Sequence, residues 1–174
     1  MIIKVIAVSA LLFCFVAKSE VDCDRHKVYC QIKKHVPRLT GKEGMELSNI
    51  IHKQCLIRKI PCQIFVAILI QESRLHVEAK NCRNAMIKKN GIYVETRVCF
   101  DFGISQINFK TAKAFEFEIE KLLTDVEYSV AAGAEILNDF RIRYAKEEEN
   151  WWSRYNSSTP VHRKVYEELV KRWF

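Results

Sequence analysis

Glu72 is the residue of this chain best placed, from the sequence alone, to move a proton. It follows the run Phe65-Val66-Ala67-Ile68-Leu69-Ile70-Gln71, and helical spacing puts it on one stripe with Phe65 and Ile68. A carboxyl sheltered by apolar neighbours loses hydration when it ionises, so its pKa rises. Such a group still holds its proton near neutral pH and can deliver it as a general acid. The plainer alternative is a glutamate at a helix end, facing solvent or pairing with Arg74. Asp101 is a second carboxylate of interest, able in principle to act as a nucleophile or to activate water, or else an ordinary strand-end aspartate. Other chemistries fit less well. Ser73 has no GxSxG setting and no histidine marked as its base. Zinc would want CxxC-like pairs or clustered histidines. The close cysteine pairs, Cys23/Cys30 and Cys55/Cys62, have six residues between them, and His26, His35, His52, His76 and His162 are scattered. Neither a metal nor a cofactor is expected.

The elements that must position these groups are mostly helical. Residues 25–36 and 44–58 read as two amphipathic helices separated by the turn region Pro37–Gly44. Pro61 suits the first position of a third helix. The body of that helix is apolar on every side, which predicts a central, buried element ending at Glu72. Asn90-Gly91, between Met86-Ile87 and Ile92-Tyr93-Val94, is a hairpin signal, so a two- or three-stranded sheet is expected over 84–99. Helical spacing returns at Asn108–Phe115. Val130, Ala134, Leu137, Phe140 and Tyr144 mark a long helix, and Val161–Trp173 supplies the last. Trp151 and Trp152 suit either stacking on a ligand or closing the core. The fold class is α+β, mostly α, with one small β insertion.

The N-terminus indicates a compartment. Lys4 precedes an apolar run, Val5 to Val16, that ends at Ala17-Lys18-Ser19, the pattern of a secretory signal peptide. The run is short for a membrane anchor, which needs about 20 apolar residues. Cleavage after Ser19 would leave 155 residues (174 minus 19), enough for one domain with a proper core. It would lower the net charge from +7 to +5 by removing Lys4 and Lys18. This modest basic balance suits an anionic partner, and no Lys/Arg block marks a nucleic-acid footprint. Without Cys14, which lies inside the apolar run, six of the 7 cysteines remain. An even number in a secreted chain predicts disulfides. Cys82 and Cys99 bracket the hairpin and are expected to pair. Cys55 and Cys62 could pair because Pro61 interrupts the helix between them. Cys23 and Cys30 should not pair if both lie in one helix, where seven residues rise about 10.5 Å.

Several short motifs occur in one order along the chain. Glu72-Ser73 is followed by Ala79, by Gly103-Ile104-Ser105-Gln106-Ile107-Asn108 and by Thr111-Ala112. Next come Ala132-Gly133-Ala134-Glu135-Ile136-Leu137, Tyr155-Asn156-Ser157 and Val165-Tyr166. In this order they resemble the catalytic domain of soluble lytic transglycosylases, within the lysozyme superfamily, from about Gln71 to Trp173. That family carries an ES motif, a GLMQ-like motif, an alanine-glycine helix and a YN motif. The chain departs from it at Ser105 (usually Met), Val77 (usually Pro) and Ser157 (commonly Gly).

The resemblance implies a lysozyme-like domain that cuts the glycan strands of peptidoglycan, with Glu72 as acid/base. Gln106 and the backbone around Ile104–Ile107 would bind sugar N-acetyl groups. Tyr155 would hold the Glu72 carboxyl, with Ser73 and Asn156 in support. With the N-terminal reading, the expected layout is signal peptide (1–19), helical cap (20–60) and catalytic region (61–174), secreted or periplasmic and monomeric, without stable membrane insertion after signal cleavage. Asp101 leaves two outcomes open, because its segment is also similar to that of animal-type lysozymes. Ring closure to 1,6-anhydromuramic acid needs no second carboxylate, whereas hydrolysis would use Asp101. A peptidoglycan-binding protein without activity is a third possibility, and intact Glu72, Gln106 and Tyr155 argue against it.

Overall fold

The structure, a computed structural model, describes residues 24–174. The expected signal peptide and Cys23 lie outside the described residues. A helix over 24–35 (α1) leads through a turn into α2 (Gly41–Arg58). The start of α2 is fixed by a capping box. Thr40 accepts from the Glu43 amide, and the Glu43 side chain accepts from the Thr40 amide. Lys59, at φ 54°, ends the helix in the left-handed region, and the chain turns at once into α3 (Cys62–Ser73). Pro61 is the N-cap of α3, one position earlier than expected.

α3 is the central helix because its composition leaves it no solvent face. Phe65 to Ile70 are fully buried. They pack with Val28 and Ile32 of α1, Leu47 and Ile51 of α2, and residues of two later helices, α6 (Val126–Tyr144) and α7 (Pro160–Lys171). The first two helices thus share one core with the helix that bears Glu72. Immediately after Ser73 the backbone is left-handed at both Arg74 (φ 54°) and Leu75 (φ 62°), a conformation costing side-chain-bearing residues about 1–2 kcal/mol each. Packing holds the turn. Leu75 is buried, Arg74 lies 4.0 Å over the Trp173 ring, and Arg38 donates to the Arg74 carbonyl.

The β insertion is longer than the sequence suggested. β1 (Lys80–Lys89) and β2 (Ile92–Phe102) form an antiparallel hairpin about Asn90-Gly91, and β3 (Ile107–Asn108) pairs with the base of β2. Cys82 and Cys99 are joined by the expected disulfide. A second, smaller core of Phe102, Ile107, Ala112, Leu122, Ala132 and Ile136 ties the sheet base to α4 (Phe109–Ala114), α5 (Ile119–Thr124) and α6. The short α5 was not anticipated. A 3₁₀ turn, Trp151–Tyr155, precedes α7. Trp151 and Trp152 are buried there, so both close the core and neither offers a face to a ligand.

Candidate active site

Glu72 stands at the last turn of α3, where the buried helix meets a cleft of about 780 Å³. The cleft runs between the sheet base (Asn81, Asp101, Asn108), the α6 side chains Ile136 and Phe140, and the segment Arg154–Ser158. A smaller hollow of about 290 Å³, lined by His162, Val165 and Leu169 among others, also borders Glu72. The two hollows share Glu72 and Asn156 as lining, so the carboxyl sits where they meet as halves of one groove. Burial pushes its pKa from 4.5 up to about 7; a hydrogen bond from Tyr166 opposes the rise, and the charge of Asp101 adds to it.

The hydrogen bond to Glu72 comes from Tyr166, not from Tyr155. Tyr166 Oη donates to Glu72 Oε1 at 2.5 Å. Tyr155 Oη donates instead to the Ser105 carbonyl at 2.8 Å. Tyr155 remains close enough for the Glu72 charge to be felt. Burial, and then that charge, hold both phenols above their ordinary range, so both stay protonated donors. The sequence contained a signal for Tyr166 as a packed residue, since it precedes the buried Val170 by one helical turn. That its hydroxyl reaches α3 is a consequence of how the two helices pack.

Asp101 is clamped from both neighbouring strands. In the register of the sheet it lies opposite Asn81 on β1 and Asn108 on β3. Asn81 Nδ2 donates to Oδ2 at 2.7 Å and Asn108 Nδ2 to Oδ1 at 2.8 Å. Asn108 also caps α4 through its oxygen, so one side chain satisfies a helix start and orients a carboxylate. Sequence reading had placed Asn108 in the 103–108 motif and at a helix start, without a link to Asp101, and had not singled out Asn81. Counting register back from Asn90-Gly91 would have found Asn81 only with the irregularity between Asn81 and Cys82 known.

The loop 103–106 is built from the inside. Gly103 has φ 76°, and a Cβ there would meet the Leu122 carbonyl at 2.0 Å. Gln106 is itself left-handed at φ 45°. Its Nε2 donates to the carbonyls of Ala79 (3.0 Å) and Gly103 (2.8 Å), which leaves its side-chain oxygen as the free acceptor at the cleft wall. Ser73 donates to the Ile104 carbonyl at 2.7 Å, and Tyr155 occupies that of Ser105. The carbonyls of 103–105 thus each accept an internal hydrogen bond, which holds the loop in place beside the cleft. The Ile104 and Ser105 side chains are fully buried, and Ile107, though buried, borders the cleft. Ser105 Oγ donates to the Ser129 carbonyl. A Cβ on Gly133 would meet Ser105 Oγ at 2.5 Å and Tyr155 Oη at 3.1 Å. The motifs at 103–106, 132–133 and 155 are therefore one packing unit. Asn156 is exposed, borders both halves of the groove and makes no side-chain hydrogen bond to protein.

Cys30, Cys55 and Cys62 are free thiols; the neighbouring side chains of Cys55 and Cys62 push the Cys55 thiol up and the Cys62 thiol down. Among the described residues, no group of three or more His, Cys, Asp or Glu side chains is arranged to hold a metal ion.

Together these features define the class of the protein: a lysozyme-like α+β domain, mostly helical, with a protonatable glutamate at the junction of a groove. The Transglycosylase SLT domain family matches the chain over residues 49–168, and the chain belongs to that family. The family's activity is of the lytic transglycosylase type, on peptidoglycan. No curated protein and no solved structure matches the chain.

Proposed function

We propose that this protein is a peptidoglycan lytic transglycosylase that cleaves the β-1,4 bond between N-acetylmuramic acid and N-acetylglucosamine. The observation that carries the reading is the state of Glu72, sheltered, fixed at Oε1 by Tyr166, and titrating at about 7. Such a group can both give and accept a proton within one turnover near neutral pH. With Tyr166 bonded to Oε1, Oε2 is left to carry the proton to the glycosidic oxygen as the bond to C1 breaks. The resulting carboxylate then takes the proton of the C6 hydroxyl while O6 closes on C1, giving the 1,6-anhydro product. The nucleophile belongs to the substrate, so no cofactor enters. The side-chain oxygen of Gln106 is free to accept from a sugar N–H or O–H, and Asn156 offers a further polar contact. On this reading the protein works outside the cytoplasm, which the apolar N-terminal run and the Cys82–Cys99 disulfide support.

The Asn81–Asp101–Asn108 clamp favours a second reading, hydrolysis, because it holds a carboxylate fixed within electrostatic reach of Glu72. Product mass decides between them. The transglycosylase reading expects fragments ending in 1,6-anhydromuramic acid and an Asp101→Asn variant that keeps substantial activity. Fragments heavier by one water, together with an inactive Asp101→Asn, would establish the hydrolase.

A further inference from the structure

Beyond Cys82–Cys99 the β1–β2 hairpin extends from the domain as a ribbon of two strands. Directly opposed residues share a face of such a ribbon. The pairs Ile87↔Val94 and Lys89↔Ile92 therefore form one face, while Met86↔Glu95 and Lys88↔Tyr93 form the other. The apolar side chains here are open to solvent on a scale the rest of the sheet does not show. Met86 is 61% exposed, Ile92 69%, Tyr93 65% and Val94 43%. Both core clusters end before this segment, so folding gains little from these residues. Residues 85–94 also contain Lys88 and Lys89 and no acid. The projecting tip thus carries aliphatic side chains, two lysines and one tyrosine, with Lys88 Nζ 6.0 Å from the tyrosine ring. Glu95 is the nearest acid on the Lys88 face. This is a composition that settles into an anionic bilayer interface.

We propose that the tip of this hairpin docks the protein on an anionic phospholipid surface. Ile92, Tyr93 and Val94 enter the headgroup layer, and Lys88 and Lys89 lie against lipid phosphates. No helix among the described residues is long and apolar enough to cross a membrane, so this contact is peripheral. A second copy of the chain is a poorer occupant, because tip-to-tip pairing sets two lysines of each copy against two of the other, with one acid per copy, Glu95, to offset them. Sugar is poorer still, because it offers Ile92 and Val94 no apolar layer to enter. The docking is independent of the chemistry at Glu72 and would hold the groove beside the membrane-proximal face of the wall.

The test is co-sedimentation of the full chain with vesicles of phosphatidylcholine alone and of phosphatidylcholine with phosphatidylglycerol. Variants share the wild-type N-terminus, so differences between them report on the hairpin. Wild type should favour the anionic vesicles. Lys88→Gln with Lys89→Gln should lower that partition by about 30-fold at low salt, and Ile92→Ser with Tyr93→Ser by at least about tenfold. All of these positions are exposed, so unfolding midpoints and cleavage of soluble glycan fragments should stay at the wild-type level. Equal partition of wild type and variants, or no preference for anionic vesicles, overturns the proposal. A concentration-dependent dimer lost in Ile92→Ser with Tyr93→Ser would assign the tip to a second copy and overturn it as well.

Discussion

Tyr166 on α7 donates to Glu72 Oε1 at 2.5 Å across a sequence separation of 94 residues. The bond stabilises the ionised carboxylate and so opposes the rise in pKa that burial causes. α7 thereby fixes the direction of the carboxyl and moderates the rise in pKa that burial imposes.

Tyr166→Phe removes that donor while keeping the ring in the core. Glu72 should then titrate above about 7, and the alkaline limb of the kcat/KM profile should move to higher pH. The maximal rate should fall roughly 10-fold through lost orientation. An unshifted limb, with the same rate, would assign Tyr166 to packing alone.

Glu72→Gln keeps the shape and removes the proton. Turnover should fall by at least about 100-fold while binding of glycan fragments persists; wild-type clearing of cell walls by this variant would eliminate the proposed acid. Stability gives an independent readout. The folded carboxyl binds its proton more tightly than the unfolded one, so the native protein loses stability as pH rises from 4.5 to about 7. The variant lacks this loss. It should match wild type below pH 4.5 and exceed it above pH 7 by about 1–3 kcal/mol in urea unfolding.

Gly133→Ala sets two effects against each other. Alanine favours a helix by about 1 kcal/mol, but its Cβ would meet Ser105 Oγ at 2.5 Å and Ser105 Cβ at 2.8 Å. Overpacking at such a site costs about 1–3 kcal/mol, so net destabilisation and reduced activity are expected, the loop carrying Gln106 being displaced. Ser105→Gly in the same chain should restore part of both, and a double-mutant cycle with no coupling would refute the contact.

The neighbouring Cys55 side chain lowers the pKa of the Cys62 thiol, the direction also expected at a helix N-terminus. Oxidised glutathione should therefore join the two. The Cys62 thiolate attacks the glutathione disulfide, Cys55 displaces the second glutathione, and two reduced glutathiones leave. Alkylation and peptide mapping should find Cys55–Cys62 beside Cys82–Cys99. Free thiols at both positions, or Cys62 joined to Cys23, would show that the pair is not a disulfide site.

By itself the sequence determined what depends on local pattern. An unbroken apolar run made α3 central, Asn90-Gly91 set the hairpin turn, and cysteines on either side of it set the staple. Four short motifs in order gave the family. It also placed Glu72 at the end of the buried helix, because helical periodicity is a local property. Tertiary structure alone decided which tyrosine reaches Glu72, since Tyr155 and Tyr166 both follow from α3 by a long loop closure and only packing separates them. It turned Trp151 and Trp152 inward. It also brought Asn81 and Asn108 to the two oxygens of Asp101, through an irregular register that no spacing announces. Contacts between distant segments are fixed by how helices and strands fill a common volume, and that volume is a property of the whole chain.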